Sequence, residues 1–590
     1  SRDWHRNEVR TIGTNIATPP AGVGAALWLS TPAQYVHEAN DGWQGEVALL
    51  SRTIVVQGAA TDSEPSDTTP LACTDSEWVL SSRSVPCSNH LTGFGAHVMA
   101  TGSNAVLRVA GVELRRVGQT NVLGRYPVHF HLMGDVSTSG GGLPRAYASD
   151  LSIHRSYYRC VSVHGTHRAL VTQSVAYDSI GHCFYLEDGI EEYNTFEYNL
   201  AAHIHFIGSP ARGSGQTCPA VDQSDDLLLP ADVSAAGYYI TNANNNFVGN
   251  AASGGWAGFA FPALPAPIKN HRDQTHVTPH AKELLRFEGN SAHSSGWWWF
   301  NAGLIYVGGK LEHPTSDQSD PLYSKLRYRP CRTQPARDGR TVMHDTKVFL
   351  GAGVGLLHWG SQPELVGYEA HDVGIAASIL GAGFITNMLV RCRTGASLRP
   401  PSGDASLSGM LGSGFQWYDT AQAHIITNAT FRNCGLRGST HAATDGCGDG
   451  ASGCTYTSSV WSLLAHSDQH TPEFMQATRD VRYEACGKRI RMASFVADSG
   501  RDLQNGMAST VSGRIGSWLD ADGSASEIPG GATPVIIGSG VAEAGEWWRL
   551  DPQCSYASEA PTWQCEVRGG RQIGSLNMGW LPSSEQESTF

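Results

Sequence analysis

The sequence predicts an all-β protein built as a parallel β-helix with long loop excursions. Short apolar runs alternate with turns rich in Gly, Asn, Asp and Ser, and 67 of the 590 residues are glycine. A unit of about 22–24 residues also recurs, which is the length of one coil of such a solenoid. A β-sandwich would instead need hairpins at Asn-Gly or Asp-Gly turns, and few are present.

The register of the repeat follows from two segments that are one coil apart. Residues 153–164 align with residues 176–187, which places Val161 over Phe184 and Val163 over Leu186 in the core. Because side chains alternate along a strand, Cys160, Cys183, His164 and Glu187 are predicted to face outward.

The repeat divides the chain into three predicted regions. Residues 1–92 form an N-terminal β region leading into the solenoid, residues 93–502 form the β-helix, and residues 503–590 form a C-terminal β-subdomain or cap, where the repeat fades. Long excursions are predicted at residues 208–235, 308–342 and 436–456, and loops of this length are often functional.

Composition and charge exclude several classes of protein. Hydrophobic residues make up 41% of the chain and include 16 Trp, enough to bury a large core, so the chain is not disordered. No apolar stretch approaches the roughly 18 residues of a membrane span. The net charge of −13 and the lack of basic clusters disfavour nucleic-acid binding.

Cysteines and the first residues point to an oxidising compartment. Three near pairs, Cys73 with Cys87, Cys447 with Cys454 and Cys554 with Cys565, are predicted to be disulfides that close surface loops. The chain begins with Ser1 rather than Met, and it contains an acceptor sequon at Asn428. We therefore expect a mature or excised piece of a secreted or cell-surface glycoprotein.

The main candidate site lies in residues 124–135. His129 and His131 are two apart on a predicted strand, so both rings leave the same face. The next outward position in the stack is His164, with Glu187 or Asp188 below it and His167 and His182 near the turns. Histidines and carboxylates should therefore converge on one outer groove.

Three interpretations of this groove remain open. His129, His131, His164 and Glu187 could hold a divalent metal ion, Ca²⁺ or Zn²⁺, since imidazole and carboxylate are metal ligands. The groove could instead perform acid–base chemistry on an acidic sugar that Arg125 orients. It could also be a purely structural ladder of hydrogen-bonded histidines.

At these residues the sequence resembles a known family. Residues 124–135, 162–167 and 178–189 are similar to those of the cell-surface hyaluronidases (transmembrane protein 2) and the cell migration-inducing hyaluronan-binding proteins, with fibrocystin-like proteins as distant relatives. The likeness extends to residues 46–58, 94–97, 244–252 and 522–524.

The resemblance implies a right-handed parallel β-helix, a pectate-lyase-like solenoid, in an extracellular protein that binds hyaluronan and cleaves it internally. Carried over residue by residue, the implied site comprises Arg125, His129, His131, Asp135, His164, His182, Glu187 and Asp188.

An enzyme acting on an acidic polysaccharide is one predicted function. In a glycoside hydrolase, Glu187 or Asp188 would donate the proton, and Asp135 or the other carboxylate would be the base or nucleophile. In a polysaccharide lyase, a histidine or Arg125 would abstract the proton beside a uronate while a divalent cation neutralises its carboxylate. The net charge opposes long-range attraction of a polyanion, so binding would need a local patch (Arg115, Arg116, Arg125 and the histidines) or a bridging Ca²⁺.

The alternative is a non-catalytic glycan-binding or adhesion module of a large cell-surface or extracellular-matrix protein, with other extracellular proteins as further partners. The aromatic run Trp-Trp-Trp-Phe at residues 297–300 would suit sugar stacking, although stacking in a β-helix core explains it equally well.

Overall fold

A computed structural model of the chain describes the following residues: 7–13, 26–35, 37, 39, 42–66, 90–138, 142–205, 207, 230–295, 303–312, 327–329, 338–392, 413–417, 423–434, 462–465, 476–486, 490–491, 517–525, 527, 533–538, 554–557 and 562–567. Residues 297–300, the pairs Cys73–Cys87 and Cys447–Cys454, and residues 436–456 lie outside this set.

The described residues form 35 β-strands. The first twelve are β1 (Ile54–Gln57), β2 (Val98–Thr101), β3 (Leu107–Ala110), β4 (Val112–Val117), β5 (Val128–Asp135), β6 (Ala146–Ser149), β7 (Ser152–Ser156), β8 (Val161–His167), β9 (Leu170–Thr172), β10 (Val175–Ile180), β11 (Phe184–Leu186) and β12 (Thr195–Glu197).

The next twelve strands are β13 (Leu200–His205), β14 (Ala236–Tyr239), β15 (Asn246–Val248), β16 (Ala251–Gly254), β17 (Ala257–Ala263), β18 (Arg286–Glu288), β19 (Ser291–His293), β20 (Gly303–Glu312), β21 (Arg327–Arg329), β22 (Thr341–His344), β23 (Lys347–His358) and β24 (Pro363–Val366). Three 3-10 helices also occur in the described chain, at Pro230–Ser234, Lys269–His271 and Pro279–Ala281.

The remaining strands are β25 (Glu369–Ile379), β26 (Gly383–Arg391), β27 (Ser413–Trp417), β28 (His424–Arg432), β29 (Leu463–Ala465), β30 (Ala477–Glu484), β31 (Ile490–Arg491), β32 (Ser517–Asp520), β33 (Thr533–Gly538), β34 (Cys554–Ala557) and β35 (Thr562–Val567). None of the helices described is long and apolar enough to cross a membrane.

The strands stack into three parallel sheets, because each coil adds one strand to each sheet. The first sheet begins β1-β4-β7-β10-β13-β16-β19-β23-β25. The second begins β2-β5-β8-β11-β14-β17-β20, and the third begins β3-β6-β9-β12-β15-β18-β22. This arrangement confirms the prediction of an all-β, right-handed parallel β-helix.

The predicted register is also confirmed. Val161 pairs with Phe184 and Val163 with Leu186, and all four side chains are buried. The outward placement of Cys160 and Cys183 is wrong, because both are fully buried and joined in a disulfide. Each cysteine lies just before its strand begins, where the backbone is still turning, so the strand alternation does not reach it. A second disulfide joins Cys392 and Cys434.

Residues in the left-handed conformation form the corners between sheets. At the corner between the third and first sheets the column runs Asp150, Gln173, Tyr198, Gly249 and Gly289, with φ between +51° and +64°. Asp and Asn tolerate this backbone region and glycine adopts it freely, which explains why corner positions favour them.

A buried asparagine ladder follows this corner. Asn199, Asn250 and Asn290 stack on successive coils, and the Nδ2 of each donates to the Oδ1 of the next at 3.1 Å. The Nδ2 of Asn250 also donates to the Phe196 carbonyl, while its Oδ1 accepts from the Asn199 N–H. The side chain thus satisfies the polar backbone atoms of the buried turns.

We expect Asn250→Ala to lower the free energy of unfolding by about 2–3 kcal/mol, because it leaves buried donors and acceptors without partners. Chemical denaturation measures this loss. Asn246→Ala is the matched control, since its half-buried amide donates only to Thr195 and should cost less than about 1 kcal/mol. Equal losses in the two variants would contradict a special role for the ladder.

The last described strands depart from the parallel pattern. β32 pairs with β30 in parallel but with β33 in antiparallel orientation, and β35 is antiparallel to both β33 and β34. Cys554 stands directly opposite Cys565 in this register. Within the predicted excursion at residues 308–342, residues 310–312 of β20 also pair with β21 in antiparallel orientation.

Candidate functional site

Three neighbouring strands of the second sheet carry the candidate site. His129 and His131 lie on β5, with Ser162 and His164 beside them on β8 in direct register. Glu187 and Asp188 follow the end of β11, one coil after His164. Val128, Phe130 and Val163, which alternate with these residues, point into the core and are fully buried.

The site is more enclosed than the predicted outer groove. His129, His164, Glu187 and Asp188 are each at most 3% exposed, and only His131 is half-buried. The cover comes from residues 264–284, which place Lys269 and His271 of a 3-10 turn over the carboxylates. Gly165 allows this close approach, because a Cβ there would lie 2.6 Å from the His271 ring and its φ is +53°.

Four donor atoms converge inside this cover. The Nδ1 of His131 lies 3.3 Å from the Nε2 of His129 and 2.9 Å from the Nδ1 of His164. Glu187 Oε2 lies 3.7 Å from both the His129 Nε2 and the His164 Nδ1. Ligands that surround a tetrahedral ion at bond lengths of about 2.0–2.1 Å are roughly 3.4 Å apart. These four atoms therefore have nearly the spacing of a tetrahedral metal site.

The outer hydrogen bonds fix which ring nitrogens carry protons. The Nδ1 of His129 faces the Gly124 carbonyl at 3.2 Å, and the Nε2 of His164 faces Asp188 Oδ2 at 2.8 Å. Both nitrogens must donate. In the neutral rings the His129 Nε2 and the His164 Nδ1 therefore carry a lone pair and no proton. Both lone pairs face the Nδ1 of His131, which has a single proton at most. A cation between the rings would satisfy all three nitrogens.

Asp188 links this histidine cluster to its cover. Its Oδ2 accepts hydrogen bonds from His164 and from the Nδ1 of His271, each at 2.8 Å. Glu191 holds the turn that carries Asp188. Its carboxylate accepts hydrogen bonds from the backbone N–H groups of Gly165, Asp188 and Gly189. His164, Asp188 and His271 form a second group of possible metal ligands that shares His164 with the first.

Glu187 is ionised and forms a buried ion pair. Its Oε1 accepts from the Lys269 ammonium at 2.8 Å and from the Tyr126 hydroxyl at 3.3 Å, while Ser162 donates to Oε2. Burial would raise the pKa of Glu187, but Lys269, His164 and His129 hold that pKa well below its usual value. Burial would likewise lower the pKa of Lys269, yet Glu187 raises it.

The histidines differ in their protonation. Burial lowers the pKa of His129 to about 4 although Glu187 opposes the shift, and burial and His164 lower the pKa of His131. Burial also acts to lower the pKa of His164, but Glu187 and Asp188 outweigh it and raise that pKa. At neutral pH the cluster thus contains two neutral imidazoles that can bind a cation.

A second buried ion pair lies beside the cluster. Arg159 donates to Asp232 Oδ1 at 2.6 Å, and the hydroxyl of Tyr158 donates to Oδ2 at 2.5 Å. The guanidinium also lies over the ring of Tyr185, 4.3 Å from its centre. The Tyr185 hydroxyl in turn accepts from Lys269 at 3.2 Å, so the two ion pairs share this ring.

The structure brings together five of the eight implied site residues: His129, His131, His164, Glu187 and Asp188. His182 packs on Tyr239 and lies 3.7 Å from Asp232, in the neighbouring ion-pair region. Arg125 contacts His97, and the exposed Asp135 pairs with Arg168, so neither makes a contact with the cluster among the described residues. Arg115 and Arg116 bind Gln57 on the first sheet.

Sequence reasoning missed five residues of this site: Tyr126, Arg159, Asp232, Lys269 and His271. Tyr126 lies inside the motif of residues 124–135, where its fixed distance from His129 could have been noticed. Lys269 is one of few lysines in the chain, but nothing in the local sequence relates it to Glu187, which lies 82 residues away.

Comparison with known proteins relates the chain to several others. The family model of the CEMIP β-helix matches residues 93–300. Protein rliB of Dictyostelium discoideum is 36% identical over 590 residues, covering 98% of this chain and 45% of its own length.

Two mammalian proteins each match one half of this chain. The cell surface hyaluronidase CEMIP2 of Homo sapiens is 32% identical over 315 residues, and the cell migration-inducing and hyaluronan-binding protein of Mus musculus is 32% identical over 322 residues. The alignments cover 21% and 22% of these two proteins. The chain thus spans less than half the length of each relative described here.

Proposed function

Because the chain contains a CEMIP β-helix and is homologous to a cell surface hyaluronidase and a hyaluronan-binding protein, we propose that it is an extracellular protein that binds and cleaves an acidic polysaccharide. The reaction would take place at the buried histidine–carboxylate cluster, with a divalent metal ion bound there. Two buried disulfides in the described part of the chain support an extracellular location, since such bonds persist in oxidising compartments.

The single observation that carries the proposal is the convergence of the His129, His131, His164 and Glu187 donor atoms. Histidine and carboxylate ligands of this number suit Zn²⁺ better than Ca²⁺, which prefers six or more oxygens. The Gly124 carbonyl and Asp188 act as the outer partners that orient metal-binding histidines in known sites. The donor set therefore fits a zinc-like ion.

The protein's own side chains indicate which group would perform which step of the reaction. A divalent ion supplies Lewis-acid polarisation of a bound oxygen. Glu187 is held ionised, so it can accept a proton from the substrate or from water. The pKa values of Glu187 and Asp188 are both held below their usual range, which disfavours either carboxyl as a proton donor near neutral pH. This favours a base-initiated elimination over hydrolysis by a pair of carboxyls.

A bound divalent ion would give the site the positive charge that the acidic chain lacks elsewhere. Together with Lys269 it would outweigh the charges of Glu187 and Asp188, and the half-buried His131 and His271 line the least covered side of the cluster. A polyanion approaching from that side would meet this charge at short range. This is the local attraction that a chain with a net charge of −13 requires.

The test is cleavage of a panel of uronic-acid polymers, hyaluronan included, with and without a chelator. We expect cleavage that the chelator abolishes and that His129→Ala/His131→Ala lacks. Absorbance of an unsaturated product distinguishes elimination from hydrolysis, which yields only new reducing ends. Absence of cleavage on every polymer, with glycan binding unchanged in the double variant, would refute the proposal.

A non-catalytic glycan-binding module is the second candidate, and one observation favours it. Four protein ligands would fill a tetrahedral site, as in structural zinc centres, whereas catalytic centres keep one position open. Glu187→Gln distinguishes the two, because an open centre would be held by the three histidines with Glu187 as the base, whereas a closed centre needs Glu187 as its fourth ligand. If the variant retains the metal but loses cleavage, Glu187 is the base. If it loses the metal but retains glycan binding, the structural centre is favoured.

Asp188→Asn is expected to weaken metal affinity about 10- to 100-fold, because Asp188 orients His164 without belonging to the four converging donors. Competition with a chromogenic chelator measures the change. Asp150→Asn, which removes an exposed carboxylate paired with Arg52, is the control and should leave the affinity unaltered. An unchanged affinity in Asp188→Asn would argue against metal binding through His164.

A further inference from the structure

A second cluster of histidine and carboxylate groups lies on the first sheet. Asp178 on β10 stands beside His203 and His205 on β13, the adjacent strand. Asp178 Oδ1 is 2.8 Å from the His205 Nε2 and 3.8 Å from the His203 Nδ1. One ligand atom from each residue lies within 4.8 Å of the others.

The backbone holds two of these residues at a sheet corner. Asp178 and His203 occupy equivalent positions, because Tyr177 pairs with Ala202 and Ser179 with Ile204. Both are left-handed, with φ of +57° and +56°. This is the corner conformation of the β-helix, which Arg155 adopts one coil earlier in the same column. It turns the Asp178 and His203 side chains toward the His205 ring.

The spacing suits a metal ion that the protein would bind on one side only. Ligands of a tetrahedral ion are roughly 3.4 Å apart, a value that lies between the two measured distances. Two imidazoles and one carboxylate form the set that binds Zn²⁺ or Fe²⁺ with open positions. The His205 side chain is 5% exposed and the Asp178 side chain is 37% exposed, so water can complete the coordination of the ion.

A cationic neighbour of the cluster is paired with a carboxylate. Arg155 precedes Asp178 by one coil in the same corner column, but its guanidinium is paired with Glu64 at 2.7 Å. The ring of Tyr177 packs against His203 and closes one side of the cluster. The cluster belongs to β10 and β13, whereas the histidines of the proposed catalytic cluster lie on β5 and β8 of the second sheet.

We propose that Asp178, His203 and His205 form a separate binding site for a late first-row divalent metal ion, with Zn²⁺ as the representative ion. This inference does not depend on the proposed function, since it concerns other residues on another sheet. It predicts that the chain binds two such ions if both sites are metal sites, and one ion if only this site is.

The experiment measures Zn²⁺ stoichiometry and affinity by calorimetry in the background variant His129→Ala/His131→Ala/His271→Ala, which removes ligands from both groups at the proposed catalytic cluster. We expect one Zn²⁺ per chain in this background. Adding His203→Asn should weaken the affinity roughly 100-fold or more, because a direct ligand is lost rather than an outer partner. Asparagine preserves the left-handed backbone, so the fold should be retained.

His293→Gln is the matched control, because His293 lies on β19 of the same sheet and bonds Glu46 instead of the cluster. It should leave the Zn²⁺ affinity unaltered. As a second measurement, Co²⁺ should give visible absorption bands in the background that disappear with Asp178→Asn. No Zn²⁺ binding in the folded background, or equal affinity with and without His203→Asn, would overturn the proposal.

Discussion

Replacing Lys269 by Met is expected to lower the free energy of unfolding of the ion-free protein by about 3–5 kcal/mol. The ammonium is buried and lies 2.8 Å from Glu187, so its removal leaves a buried carboxylate without its main counter-charge. Chemical denaturation in the presence of a chelator measures the loss.

The double variant Lys269→Met/Glu187→Gln should recover most of this stability, because neither residue then carries a charge to be desolvated. Zn²⁺ should also reduce the deficit of the single variant if Glu187 coordinates it, since the ion would replace the missing positive charge. The double variant should nevertheless be inactive, because a glutamine cannot act as a base.

Lys282→Met is the control for the Lys269 variant. Lys282 contacts Glu192 over the same distance of 2.8 Å, but its side chain is 36% exposed, so the loss should stay below about 1 kcal/mol. If the two lysine variants lost equal stability, burial would not govern the effect, and Glu187 could not be regarded as an ionised group that needs compensation.

The contacts within the site also show what sequence reasoning could and could not predict. The β-helix repeat fixed the relation between His164 and Glu187, because side chains one coil apart stack in register. The spacing of His129 and His131 fixed their common face for the same reason. Residues on successive coils of one sheet could therefore be brought together from the sequence alone.

Residues supplied by excursions could not be placed in this way. Lys269, His271 and Asp232 lie in 3-10 turns between strands, where no repeat relates them to the site. The same turns explain why the predicted open groove is buried. The family resemblance placed Asp135 in the site. The structure instead has Asp135 at the end of β5, after a register shift between His131 and Gly134, where it pairs with Arg168.

Arg159→Met is expected to cost a further 3–5 kcal/mol of unfolding free energy, on the same physical grounds. Arg159 is fully buried against Asp232, and the Tyr158 hydroxyl alone cannot balance the carboxylate that would remain. Cation–π contacts with Tyr158 and Tyr185 would be lost as well. Urea denaturation would show a lower midpoint with little change in slope.

Arg155→Met is a closely matched control for Arg159→Met. Both arginines have left-handed backbones, with φ of +52° and +63°, and each pairs with one carboxylate, but the Arg155 side chain is 48% exposed. The backbone cost therefore cancels, and the difference between the variants reports burial of the charge. If Arg155→Met cost as much stability as Arg159→Met, the buried ion pair with Asp232 would not be the cause of the loss.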